Sequence, residues 1–181
     1  ILGGGEVTMW DLAGIYAGMA RTLNHQKKNK GFALQKDFHA PIYFDAQNNN
    51  GKKVSDEKIN SLDATSIWFT FQAMEEVMRP GEEGLWEQFS SSQKVAWKTG
   101  TSFGFRDAWA IGITPKYVVA VWTGNTDGEG RPGLIGVQTS APVMFDIFRK
   151  LPASKWFAWP QNNFTFGPVC RQRGYRANIY C

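Results

Sequence analysis

The chain has 181 residues, 43% of them hydrophobic, enough to bury one substantial core. Its net charge of +4 is modest, and the densest basic cluster, Lys27-Lys28-Asn29-Lys30, falls between predicted elements as a solvated loop. Nucleic-acid binding needs a basic face or a recognised module, and neither is visible, so that class is excluded. A chain beginning Ile1-Leu2-Gly3, without initiator Met, signal peptide or membrane-length apolar run, reads as a fragment of a longer protein whose anchor lies elsewhere. Eight Trp and 13 Phe are many for this length and are expected to fill the core or line a groove.

Thr8-Met9-Trp10-Asp11 has a helix-cap pattern, and Leu12, Tyr16, Met19 and Leu23 follow at helical spacing on one face. The Gly3-Gly4-Gly5 run before it lacks the strand and spacing of a phosphate-binding loop. Residues 38–55 read as a hairpin, with Ile42-Tyr43-Phe44 as one arm, Asn48 to Gly51 as the turn and Lys52-Lys53-Val54 as the other. Asp63 then caps a long helix whose buried stripe is Ile67, Phe71, Met74 and Met78, and Arg79-Pro80-Gly81 ends it. That stripe reads as core, not as a cofactor box. Three strands follow, over 94–101, 107–113 and 117–123, then a Gly-rich loop over 124–133. Ser140 is read as the cap of a last helix reaching Leu151, with Pro142 in its first turn. The fold class is therefore α+β, an antiparallel sheet with packed helices. Residues 1–152 form the main unit, and 153–181 read as a linker and the start of an extension.

The two cysteines, Cys170 and Cys181, both lie in that tail. With no His or second Cys pair nearby they make a poor zinc site. A disulfide is the more natural reading and implies an oxidising compartment; two free thiols are the alternative. Closing so short a loop stabilises by roughly 3 kcal/mol in the chain-entropy model.

The chemistry concentrates in Lys98-Thr99-Gly100-Thr101-Ser102, followed by Arg106-Asp107-Ala108-Trp109. A strand lysine supplies a cation for a carboxylate, a hydroxyl gives a directional hydrogen bond, and a glycine lets another backbone lie alongside. Read alone, Lys98 is more simply an exposed strand lysine blunting a sheet edge. Asp107 and Trp109 read as structural supports, an acid at a strand start and a buried Trp.

With these residues goes a resemblance. Lys98-Thr99-Gly100 is similar to the K-T-G motif of penicillin-binding proteins and class A β-lactamases. Leu2-Gly3-Gly4 with Glu6-Val7-Thr8, Trp97 to Ser102, Arg106 to Gly112, and Tyr117 to Gly124 together resemble the C-terminal half of a transpeptidase domain. The nearest pattern is the bifunctional class A family of the 1C type, over roughly residues 1–150. The tail resembles, more loosely, the segment leading into that family's extra C-terminal domain.

The resemblance implies a partial β-lactamase/transpeptidase-like fold and acyl transfer to a serine during peptidoglycan crosslinking, with β-lactams trapping the acyl-enzyme. It assigns Lys98 and Thr99 to the substrate carboxylate and Gly100 to strand pairing with the donor peptide. It assigns the Thr101 N–H to the oxyanion hole, with its hydroxyl and Ser102 beside the carboxylate. It implies no metal or cofactor, stem peptides and β-lactams as partners of the full protein, and the periplasmic face of the inner membrane as its place. A glycosyltransferase domain and an anchor would lie upstream.

The family's S-x-x-K serine has no convincing counterpart. Ser55-Asp56-Glu57-Lys58 lies in a polar stretch, Ser91-Ser92-Gln93-Lys94 sits too close to Lys98, and no Ser-x-Asn occurs. The chain therefore reads as half an active site, inactive alone, with an open sheet edge that invites self-association. A non-catalytic peptidoglycan-binding or interaction module derived from such a domain is the competing reading. A β-lactam hydrolase fits less well, since no deacylating glutamate motif is visible.

Overall fold

Thr8 begins the first helix, its hydroxyl accepting the Asp11 N–H at 3.0 Å. In the computed structural model, which describes residues 5–43, 55–80, 93–161, 164 and 166–180, this helix is α1 (Met9–His25). Leu23 is fully buried and Tyr16 and Met19 pack on the same core. Burial holds the Tyr16 phenol neutral and raises its pKa. No helix among the described residues is long and apolar enough to cross a membrane.

The expected hairpin over 38–55 is not found where it can be followed. Strand β1 (Phe32–Leu34) pairs instead with β2 (Lys58–Asp63), and Gln35–Phe38 form a 3₁₀ turn. Ile42 and Tyr43 are not in a strand, and residues 44–54 lie outside the described residues. The reason is tertiary. Asp37 is buried, with His25 Nδ1 2.9 Å from its carboxylate and Arg21 Nε donating to its carbonyl at 2.6 Å. These bonds hold the segment against the last turns of α1, a role that an alternation of aromatic and polar residues does not announce.

Helix α2 (Ala64–Glu75) starts where expected, with a reciprocal cap: Asp63 accepts from Ser66 N at 2.7 Å and Ser66 Oγ accepts from Asp63 N at 3.2 Å. Ile67 and Phe71 are buried, but Met78 lies beyond the helix and is 64% exposed. The chain leaves the helix after its Glu76 cap to meet the next strand. Glu75 pairs with Lys94 Nζ at 2.5 Å, Val77 O accepts from Trp97 Nε1 at 3.1 Å, and Arg79 Nη2 donates to Gln93 O at 2.6 Å.

Strands β3 (Ala96–Thr101), β4 (Asp107–Ile113) and β5 (Val118–Gly124) form an antiparallel sheet in that order. Helix α3 (Gly136–Lys150) begins a turn earlier than expected, with Ile135 as an N-cap that makes no side-chain bond. Ser140 is not the cap. It is buried in the helix, donating from Oγ to Ala108 O at 2.8 Å and lying 2.9 Å from Thr123 Oγ1, so it ties α3 to the sheet. Pro142 consequently lies inside the helix, beyond its first turn.

The alternation of the strands divides the core. Val95, Trp97 and Ala110 face α3, packing on Met144 and Phe148. Ala96 and Ile113 face the other way, onto Leu23, Ile67 and Phe71 of α1 and α2. The chain beyond α3 returns across this second core and buries Phe157 in it. The architecture is α+β.

Candidate functional site

Strand β3 changes character along its length. Val95, Ala96 and Trp97 are buried, whereas Lys98, Gly100 and Thr101 are exposed and Thr99 is half-buried. Among the described residues β3 has a neighbour, β4, on one side only. The pairing sets Lys98 opposite Ile111, Gly100 opposite Trp109 and Thr101 opposite Ala108.

That register also aims the backbone. Ser102 N donates to Asp107 O at 2.9 Å, closing the hairpin with a hydrogen-bonded pair. Antiparallel pairs alternate between bonded and non-bonded, so 100/109 and 98/111 are bonded pairs and the N–H and C=O groups of Trp97, Thr99 and Thr101 point to the open side. Lys98 Nζ donates to one of these outward carbonyls, Thr99 O, at 2.8 Å. An ammonium, a hydroxyl residue and outward N–H groups thus share one open edge, an arrangement able to take an extended peptide ending in a carboxylate.

Sequence reasoning did not reach the contact between Thr101 and α3. Gly136 N, an N-terminal donor of α3 with no partner inside its own helix, donates to Thr101 Oγ1 at 3.1 Å. The Thr101 hydroxyl is therefore positioned by α3 and keeps its own hydrogen to donate. A Cβ on Gly136 would lie 2.5 Å from Trp109 O and 2.6 Å from Gly100 O, so only glycine lets the helix end rest on the strand carbonyls. Thirty-five residues separate the two partners, and no local pattern links them.

Gly100 itself is under no such demand. A Cβ there would meet only Trp109 Cβ, at an ordinary 3.6 Å. Trp109 is half-buried, not buried as expected, and sits opposite Gly100 and Trp122 in the ladder. Asp107 acts structurally: its Oδ1 accepts from Trp122 Nε1 at 2.8 Å, and its N–H donates to Ser102 Oγ at 2.8 Å. Beyond Ser102 the hairpin turns through Gly104 and Phe105, both at positive φ, with Phe103 90% exposed. A bulky residue at positive φ, as Phe105 is at 55°, stores local strain beside the exposed strand end.

The Ser55-to-Lys58 string contributes nothing to this edge. Ser55 Oγ accepts from Glu57 N at 3.0 Å, and Lys58 is a β2 residue whose Nζ lies 3.5 Å over the Phe32 ring, so the pair is not on a helical turn. Ser91 lies outside the described residues. Cys170 is buried, and Cys181 lies outside the described residues.

The chain is similar to penicillin-binding protein 1C of Escherichia coli (strain K12), 29% identical over 177 residues, which is 94% of this chain and 20% of that protein. Similarity extends to penicillin-binding protein 1B of Vibrio cholerae serotype O1, 27% identical over 115 residues, covering 63% of this chain and 15% of that protein. Penicillin-binding protein 1A of Clostridium botulinum (strain Langeland) is 29% identical over 113 residues, covering 61% of this chain and 14% of that protein. The chain spans a fifth or less of the length of these curated relatives. No family model and no solved structure matches it.

Proposed function

From the premise that this chain is a homologue of penicillin-binding proteins, we propose that it supplies the substrate-binding strand of a serine-type peptidoglycan D,D-transpeptidase. The observation that carries the reading is the exposed end of β3: a lysine and outward backbone donors on an edge that has no strand partner among the described residues, beside a glycine that packing does not require.

In this reading the donor stem peptide lies along the open edge, where Gly100 leaves it room. Lys98 Nζ and the Thr99 hydroxyl hold its terminal carboxylate. A serine supplied by other sequence attacks the carbonyl of the D-Ala-D-Ala bond, and the Thr101 N–H donates to the oxyanion that forms. The C–N bond breaks, D-alanine leaves with a proton, and an acyl ester remains. The amine of a neighbouring stem then attacks that ester, forming the crosslink and returning the serine. The reaction runs at the periplasmic face, where Cys170 and Cys181 form a disulfide. Trapping of thiols by an alkylating agent under non-reducing denaturation, followed by intact mass, reads that pairing directly: two added groups would rule it out.

The test of the main reading is acylation by a fluorescent penicillin in a protein that carries both this chain and its upstream serine. Lys98→Met slows acylation on the order of 10²-fold, the value of a hydrogen bond to a charged group, with the melting temperature unchanged. Acylation at the wild-type rate would remove Lys98 from the site. Residues 1–181 alone gain no mass from penicillin; a covalent adduct would place the nucleophile in this chain, with Ser55 the first to mutate.

A further inference from the structure

The net charge of +4 is not spread over the molecule. Residues 153–181 contain four Lys and Arg and no Asp or Glu, while residues 1–152 hold 16 of each sign and are neutral. The same segment is rich in exposed rings. Trp159 is 44% exposed and stacks on Phe164 at 4.4 Å and 23°; Phe164 in turn lies 6.3 Å from Phe166 at 24°, and Phe166 is 83% exposed. The row is anchored by Trp68, edge-on to Trp159 at 4.9 Å and to Phe164 at 6.1 Å, and leads outward to Phe166.

The row begins at a cleft of about 350 Å³ lined by Gln26, Lys27, Gly31, Trp159 and Gln161. Gln26 is buried and donates from Nε2 to Ala158 O at 2.7 Å, which fixes the wall that presents Trp159. Beyond the rings a small hairpin closes through the Val169–Arg176 bridge, with Cys170 N donating to Tyr175 O at 2.7 Å and Gly174 at φ 72° in the turn. Arg171 and Arg173 are exposed at its tip, and Tyr175 beside them is 77% exposed.

We propose that this cleft and hairpin form a docking surface for a carboxylate-bearing polysaccharide, separate from the Lys98–Ser102 edge. Aromatic planes suit the C–H faces of sugar rings. The exposed amide of Gln161 suits hydroxyl and acetamido groups, and the Lys and Arg heads suit carboxylates. A cleft that mixes amides with an indole fits a polar ring polymer better than a lipid surface, which takes an amphipathic helix or protruding apolar side chains on their own. Naming the polymer as peptidoglycan rests on the function proposed above; the chemistry of the surface does not.

The test is co-sedimentation of the full chain with three probes: purified peptidoglycan sacculi, chitin as an uncharged acetamido-sugar polymer, and phosphatidylglycerol vesicles. Sacculi pellet the protein at about 50 mM salt and release most of it at about 0.5 M, as expected for exposed charge pairs. Chitin binds at least tenfold more weakly. Arg171→Glu with Arg173→Glu, both on exposed side chains, lowers binding to sacculi about tenfold, and Trp159→Ala does the same by removing the platform. Lys36→Met, a change at an exposed ion pair outside both surfaces, does not change the sedimentation. Equal binding to chitin, binding to vesicles alone, or no binding at all overturns the proposal. So does a loss of binding in Lys98→Met with retention in the arginine variant, which would assign wall contact to the β3 edge. Acylation by penicillin is read separately, so either proposal can fail without the other.

Discussion

A methyl group on Gly112 would lie 2.7 Å from the Phe148 ring and 2.9 Å from Met144 Sδ, whereas one on Gly100 would meet only Trp109 Cβ at 3.6 Å. The two glycines sit on opposite faces of one small sheet. Gly112 lies on the face that α3 covers, and its missing side chain is what lets the helix approach β4. Gly100 lies at the exposed end of β3, where a side chain would meet nothing closer than Trp109 Cβ. A glycine inside a strand weakens it, so one that packing does not need calls for another explanation. The same division runs along β3, from the buried Val95-Ala96-Trp97 to the exposed Lys98-Thr99-Gly100-Thr101. The first half of the strand serves the fold, and the second half is free to serve a ligand.

The largest effect that sharpens this contrast is at the strand's midpoint. Trp97 is 1% exposed, packs edge-on against Phe145 at 5.0 Å and donates to Val77 O, so Trp97→Ala costs about 3–5 kcal/mol in denaturant unfolding. Its neighbour Lys98, exposed, changes stability by less than about 0.5 kcal/mol when cut to Ala. Comparable losses at both positions would dissolve the division. Next come the glycines: Gly112→Ala forces Phe148, Met144 and Val95 apart and costs about 1–3 kcal/mol. Gly100→Ala stays within about 0.5 kcal/mol while impairing acylation in the protein that carries the serine. Should Gly100→Ala unfold the protein as readily as Gly112→Ala, packing explains both and the argument for a ligand edge fails.

Smaller effects belong to the ends of elements. Asp63→Ala removes one half of a reciprocal cap and costs about 1 kcal/mol, measured by thermal or urea unfolding. The smallest is electrostatic. The Lys36 ammonium, 2.6 Å from Asp56 and hydrogen-bonded to it, holds the Asp56 carboxyl below the usual carboxylate range. Because the folded value is lowered, the stabilisation from this pair is present above the ordinary carboxylate value of about 3.9 and is lost as pH falls through the lowered one. An NMR titration of Asp56 shows that shift, and Lys36→Met abolishes it; salt weakens it because the pair is exposed.

Much of this was legible in the chain because it is written in near neighbours. Thr8 and Asp63 cap helices through residues three positions on, and the short apolar run from Ala108 to Ile113 marks a strand that the fold buries almost throughout. The K-T-G edge was legible as chemistry, a cation, a hydroxyl and a glycine in a row. What misled was residues whose partners are distant. Ser140 has the look of a helix cap, yet its hydroxyl is used by Ala108 and Thr123 across the sheet. Met78 continues a helical stripe on paper, but the bonds of Glu75, Val77 and Arg79 to the start of β3 end the helix first. The aromatic arm at Ile42-Tyr43 had strand composition, and the buried Asp37 with its α1 partners directed the chain otherwise.

By itself the sequence determined the α+β class, the three-strand antiparallel unit and the residues able to meet a carboxylate, since each depends on side-chain type and short-range spacing. Only the tertiary structure decided that β3 has a neighbour on one side alone among the described residues, that the backbone groups of Thr99 and Thr101 face the other side, and that α3 settles on Gly136 to hold the Thr101 hydroxyl in place. Those are matters of register and of contact between segments far apart in the chain. Burial and hydrogen bonding select such contacts only after the elements have packed.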